Sequence, residues 1–328
     1  MKNLNEKIIT IAEVALPVDE KLKIQKHRIF SDEKSEEDYE KSKKRLAVVT
    51  GIHGDELEGQ FVCYELSRRI KENPENLDGV VDIYPAMNPF GIDSITRGLP
   101  AFDLDMNRIF PGNDSGDMNE HIASKIMADM TGTELCLDIH ASNIFLTEVP
   151  QIRINEEHEN FLLPYALESN VDFVWVHGAS TVLQSTFAYS LNSRGIKTLV
   201  VEMGVGMRIT REYGNQLVDG IFSLMKKIGI WHGEAKIPKK AIVSNDKSGG
   251  DVSYLNAPFS GVFIKEKNHG AMVKKGEKIG EVINPLSGKL LSEIKAEESG
   301  WLFTIREYPI VDEGSLLGRI LKSKGKNR

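Results

Sequence analysis

Residues 51–59, GIHGDELEG, set a histidine and a glutamate three positions apart, where an apolar run gives way to a charged, helix-like segment. Imidazole nitrogens and carboxylate oxygens are the donors from which a catalytic zinc site takes three ligands, keeping a fourth position for water. Gly51 and Gly54 bracket the histidine, so the turn can fold tightly enough for His53 and Glu56 to converge. Alone, such a pair is also an ordinary polar turn. A third donor is His140 in LCLDIHAS, at the end of an apolar run. In open α/β sheets ligands gather at the carboxyl ends of strands, although a strand-end histidine can equally bond to backbone. Glu202 closes the uncharged run in IKTLVVEMG. A carboxylate placed there is either paired or kept for function with a raised pKa, as suits a general base acting on water beside a metal. The segment ITRGLPAFDLDMNRIFPG (95–112) packs Arg97, Asp103, Asp105, Asn107 and Arg108 into one turn-rich stretch. That composition fits recognition of an anion and stabilisation of a developing oxyanion.

These residues need elements to hold them. Short apolar runs at 45–51, 79–87, 134–141, 171–176 and 196–204 read as strands. Several alternate too little for a sheet with one wet face, which implies strands covered on both sides. Helical periods fall at 56–70, 118–130, 156–169 and 210–228, the last with Leu217, Ile221, Leu224 and Ile228 on one stripe, Thr210 as cap and Gly229 past the end. Residues 233–251 are poor in apolar side chains and read as a linker. From 252 to 320 glycine-punctuated apolar runs without a helix period predict a small all-β domain, so the expected division is 1–240 and 241–328. The charged run 31–45 reads as a solvated hairpin or loop.

The net charge of −7 and the lack of a basic stripe argue against nucleic acid or an anionic membrane as partners. No run approaches the ~20 apolar residues of a membrane span, and the N-terminus lacks a signal-peptide pattern, so a cytoplasmic location is expected. Cys63 and Cys136 lie in apolar surroundings with no second cysteine near, and read as buried thiols. His121, His158, His177, His232 and His269 have no partner at ligand spacing and read as surface or helix-end residues. GVGMRIT (204–210) lacks the third glycine of a dinucleotide fingerprint.

The order His-x-x-Glu, Arg…Asp-x-Asp-x-Asn-Arg-x-Phe-Pro-Gly, Asp-x-His, Val-Glu-Met-Gly, running from about 45 to 205, resembles the succinylglutamate desuccinylase and aspartoacylase family of the zinc carboxypeptidase superfamily. DLDMNRIFPG is the most specific part. The resemblance implies an α/β fold with a mixed, mostly parallel sheet and helices on both faces. It implies one Zn2+ per chain held by His53, Glu56 and His140, with Glu202 as general base and proton shuttle. Arg97 would polarise the scissile carbonyl, Asn107 and Arg108 would grip the substrate's carboxylate or acyl end, and Asp105 would orient the first histidine. For the family's further substrate-selecting arginine and tyrosine the candidates are Arg153, Arg194, Tyr189 and Tyr254. The C-terminal segment resembles the biotinyl/lipoyl-type barrel of many bacterial members. Its hairpin tip, LSGKLL with Lys289, lacks the flanking residues of a modified lysine, which favours a lid or oligomer-building role.

The expected activity is zinc-dependent removal of an acyl group from a small N-acylated amino acid or amine, with a homo-oligomer left open. The alternatives are a peptidase using the same site, a metal-binding or regulatory protein without turnover, and a carrier or scaffold acting through the barrel.

Overall fold

A computed structural model of the chain describes residues 3–100, 104–178, 184–245 and 251–323. Asp103 lies outside the described residues. The N-terminal part contains strands β1 (Leu4–Ala15), β2 (Lys21–Ser31), β3 (Arg45–Thr50), β4 (Val80–Tyr84), β5 (Leu135–Ala141), β6 (Leu146–Asn155), β7 (Phe173–His177), β8 (Lys197–Gly204) and β9 (Ile242–Asn245). Its helices are α1 (Glu36–Lys41), α2 (Glu58–Glu72), α3 (Pro89–Ser94), α4 (Met118–Asp129), α5 (Glu159–Ala166), α6 (Phe187–Asn192) and α7 (Arg211–Lys227).

β3 pairs in parallel with β4 and β5, and β5 in parallel with β8; β6 joins β8 antiparallel and carries β7 and then β9 in parallel. The sheet is therefore mixed and mostly parallel in this part. β3 shows why its sequence does not alternate: Leu46 and Val48 enter the core under α2 and α7, while Ala47 and Val49 enter a second core under α4 and α6. Both faces are covered, so every position wants an apolar residue.

α7 follows its sequence signals. Leu217, Ile221 and Leu224 are fully buried, each side chain contributing about 1.5–3 kcal/mol by leaving water. Gly229 takes the left-handed conformation at φ +74°. Its N–H bonds Lys226 O at 3.0 Å while that of Ile230 bonds Met225 O at 2.9 Å, a Schellman stop. Thr210 stands at the cap position, but its hydroxyl does not cap: it donates to Glu58 Oε1 at 2.7 Å, and its N–H to Glu58 Oε2 at 2.6 Å. Glu58 thus pins the loop after β8 to the start of α2.

The C-terminal part is antiparallel throughout, with strands β10 (Val252–Asn256), β11 (Gly261–Lys265), β12 (Ala271–Val273), β13 (Lys278–Asn284), β14 (Lys289–Lys295), β15 (Gly300–Arg306), β16 (Ile310–Val311) and β17 (Leu316–Lys322). One sheet runs β14-β13-β11-β16. The other continues the main sheet through β6-β15-β17-β10. Aromatic packing of Phe173 and Trp175 against Phe303 closes the junction, with ring centroids 5.0 and 5.7 Å apart.

Further sequence expectations are corrected. The charged run 31–45 contains α1, held because Tyr39 is fully buried against Phe30 and Val80. The stretch 233–251 contains β9, an added edge strand on β7. The antiparallel hairpin β1–β2 and strand β6 lie where no strand was expected. Among the described residues no helix is long and apolar enough to cross a membrane, and both cysteines are buried and free.

Candidate active site

The carboxyl ends of β3, β5 and β8 bring the separated motifs together. Gly51 takes φ +69°, and at Gly54 a Cβ would lie 1.9 Å from the Gly91 carbonyl carbon, so neither position accepts a side chain. The Gly54 N–H bonds Arg97 O at 3.3 Å, tying the histidine turn to the arginine segment. His140, next to last in β5, lies opposite Glu202 of β8 in the parallel register.

His53, Glu56 and His140 are all buried, and one ligand atom from each lies within 4.8 Å of the others. Glu56 stands between the imidazoles, its Oε1 2.8 Å from His53 Nδ1 and its Oε2 3.0 Å from His140 Nδ1. The first of these pairs is off the hydrogen-bond direction, and His53 Nδ1 has no hydrogen-bond partner. On the far side, His53 Nε2 meets Asp105 Oδ1 at 3.0 Å and His140 Nε2 meets Asp138 Oδ2 at 3.2 Å. Each imidazole therefore turns Nδ1 inward and is backed by a carboxylate at Nε2, the arrangement that orients metal-ligating histidines. Burial favours neutral imidazoles, but Glu56 and Asp105 around His53, and Asp138 and Glu56 around His140, outweigh it and raise both pKa values.

Asp138 is a site residue to which the sequence reading gave no role, although it is the Asp of the Asp-x-His motif. The available signal is its place two residues before His140 on the same face of a strand.

Arg97 donates to Glu56 Oε1 at 2.8 Å and to Asp105 Oδ2 at 3.3 Å. Asp105 also accepts the Asn107 N–H at 2.9 Å. Asn107 Oδ1 accepts the Phe187 N–H at 2.8 Å, so this oxygen serves α6 and only the amide nitrogen is left for a ligand. Arg108 donates to the Asn107 carbonyl at 2.8 Å. Burial pushes the Glu202 carboxyl up to about 6, against the pull of Arg153 and His140.

All these groups except Asp105 line one cavity of about 390 Å³. Of the four substrate-selecting candidates, Arg153 and Tyr189 line it, whereas Arg194 and Tyr254 are exposed and do not. His158 is a helix-end residue as expected, at the cap of α5, and His177 ends β7; both also line the cavity, a place the sequence reading did not give them. So does Arg319 of β17, from the C-terminal part.

This geometry agrees with the chain's relationships. Residues 42–228 match the model of the succinylglutamate desuccinylase/aspartoacylase catalytic domain. The match covers more than half of the chain, and the chain belongs to that family of deacylases. It is 25% identical over 295 residues to N-alpha-acetyl-L-2,4-diaminobutyric acid deacetylase of Halomonas elongata, covering 84% of this chain and 82% of that one. In fold it is similar to the product-bound ectoine utilization protein EutE (DoeB) of Ruegeria pomeroyi, at TM-score 0.78 and 17% identity over 98% of this chain and 95% of that one. It is also similar to a succinylglutamate desuccinylase/aspartoacylase of Rhodobacter sphaeroides, at TM-score 0.77 and 22% identity over 98% and 96%.

Proposed function

We propose that this protein is a zinc-dependent amidohydrolase that removes the acyl group from a small N-acylated amino acid, with N-acetyl compounds as the foremost class. The observation that carries the reading is the convergence of ligand atoms from His53, Glu56 and His140 within 4.8 Å, with Glu202 on the wall of the same cavity. Two imidazoles and one carboxylate, open toward a cavity, are a donor set that suits catalytic zinc. The buried His53 Nδ1, without a hydrogen-bond partner, fits a ligand atom awaiting a metal. Zinc held there supplies a Lewis acid for the acyl carbonyl and acidifies water.

Glu202 takes the proton from the attacking water and passes it to the leaving nitrogen as the C–N bond breaks, giving a carboxylate and an amine. Arg97 is anchored on one side by Glu56 and Asp105, and its outward N–H groups hold the negative charge that grows on the acyl oxygen. The Asn107 amide nitrogen and Arg108 grip the substrate's anionic end. The cavity volume, near the lower bound of ligand pockets, favours an amino-acid-sized substrate over a peptide. The deacetylase of Halomonas elongata, matched along most of both chains, supports acetyl as the acyl group.

The test is a screen of N-acetyl, N-succinyl and N-formyl amino acids with zinc supplied, read as free amine. Release that stops on chelation and returns with zinc is the expected result. Zinc-loaded protein that releases amine from none of them overturns the reading.

A further inference from the structure

A chain of charged hydrogen bonds leads from Glu202 into the C-terminal strands. Glu202 Oε1 accepts from Arg153 Nη1 at 3.1 Å, and Arg153 Nη2 donates to Glu148 Oε2 at 2.7 Å. Glu148 Oε1 accepts from Thr304 Oγ1 at 2.9 Å and from Arg319 Nη1 at 2.6 Å. Strand register sets this order. Glu148 of β6, Thr304 of β15 and Arg319 of β17 are successive cross-strand neighbours, so their side chains rise from one row, with Gly204 of β8 opposite Glu148 on the other side. Both guanidiniums lie over the Trp175 indole, 5.8 Å from its centroid, which limits their movement.

Glu148 is fully buried, and a buried carboxylate has to be matched by cations. Two share the task. Arg319 belongs to the C-terminal sheet, whereas Arg153 divides its two Nη groups between Glu148 and Glu202. With Arg319 removed, Glu148 would offer both oxygens to Arg153, and the bidentate pair would draw that guanidinium off Glu202.

We propose that Arg319, assisted by Thr304, is a positioning residue for Glu202: by satisfying one oxygen of Glu148 it leaves Arg153 to hold the catalytic carboxylate in place. The C-terminal strands are then part of the working site. The proposal rests on Glu202 being the general base.

The test uses the full-length protein and an N-acyl amino acid that the wild type cleaves. Arg319→Met should lower kcat by about 10–100-fold, the cost of a reacting group misplaced by about an ångström, with KM within about two-fold. Metal content should not change, and Arg319→Lys, which keeps a cation within reach of Glu148, should recover part of the loss. The double variant Arg319→Met/Glu148→Gln removes both charges together and leaves Glu202 as the one carboxylate partner of Arg153. Its kcat should rise well above that of Arg319→Met, a non-additivity that a merely structural role does not produce.

Should Arg319→Met fail to fold, the double variant, which buries no unmatched carboxylate, is compared with wild type. A kcat within about five-fold then supports the relay, and a 10–100-fold loss overturns it. Additive losses, a raised KM at constant kcat, or unchanged kinetics also overturn it. Wild-type protein inert on every N-acyl substrate refutes the deacylase function and the relay with it; an active wild type with unaffected variants refutes the relay alone.

Discussion

Two buried ionic clusters sit at opposite ends of the same strands. At the amino end of β3, Asp82 is fully buried and accepts from Arg28 Nε at 2.7 Å, Arg28 Nη2 at 2.8 Å, Arg45 Nε at 2.7 Å and Lys26 Nζ at 3.2 Å. Lys26 also holds Asp129, and Arg28 also holds Glu36. Both carboxylate oxygens of Asp82 are used, and each cation has a second partner.

At the carboxyl end, the cluster around Glu56 has a buried centre in Glu56, His53 and His140, but its arginines are partly exposed and it is incomplete. His53 Nδ1, Arg153 Nε, Arg319 Nε and Asn155 Nδ2 have no hydrogen-bond partner, and all four residues line the cavity. Buried polar atoms are costly when unmatched. The first holds strands together; under the proposed function the unmatched atoms of the second are the ones that meet metal and substrate.

That contrast predicts opposite phenotypes. The largest effects belong to the incomplete cluster. His53→Ala or His140→Ala should abolish metal retention and amine release together, as metal analysis and the amine assay would show. Glu202→Gln should keep the metal and lose about 10²–10⁴-fold in kcat, the usual contribution of a positioned base. Metal loss in Glu202→Gln, or near-normal turnover in it, would contradict the division of roles.

In the matched cluster, Asp82→Asn leaves three buried cations short of one carboxylate. It should destabilise the fold by about 3–5 kcal/mol in denaturant titration while the remaining folded protein binds metal normally. An Asp82→Asn protein of normal stability would mean that the network is ornamental.

The two clusters were unequally legible in the sequence. His53, Glu56, His140 and Glu202 stand out because each is a polar residue at the edge of an apolar run, where a strand ends and a site begins. Asp138 does not, because it lies inside an apolar strand and only its two-residue offset from His140 marks it. β6 was missed for a related reason. Its buried Glu148 and half-buried Arg153 serve the charge chain to Glu202, and Thr147 and Gln151 are buried polar residues beside them, so the strand lacks an apolar pattern. Arg319 arrives from over a hundred residues beyond Glu202, and only strand pairing through β15 and β17 reveals the contact. In the β1–β2 hairpin only the first half of β2, Lys21 to Ile24, alternates charged and apolar residues; β1 sets Glu6 beside Lys7 and Ile8 beside Ile9, so no strand period shows.

A smaller effect tests the carboxylates behind the histidines. Asp138→Asn keeps the shape and removes the charge beside His140 Nε2, so zinc affinity should fall about 10–100-fold with the fold intact. Asp105→Asn should act likewise at His53 and also release one contact of Arg97. Competition with a metal-binding dye measures both. Unchanged affinity in the two variants would show that the imidazoles are oriented by packing alone.

The smallest effect separates the clusters by pH. Burial opposes ionisation of Asp82, but Arg28, Arg45 and Lys26 outweigh it and hold its carboxyl below the ordinary range. A carboxylate with a depressed folded-state pKa contributes stability that is complete above its unfolded value of about 3.9 and is lost as pH falls through the folded value. The stability gap between wild type and Asp82→Asn should therefore be constant from neutral pH to about 5 and close steadily below about 4. Denaturant midpoints measured for both proteins from pH 7 to pH 3 would show it. A gap that stays constant to pH 3 would mean that Asp82 contributes through shape, not charge, and the contrast between a matched and an unmatched cluster would then have to rest on the metal site alone.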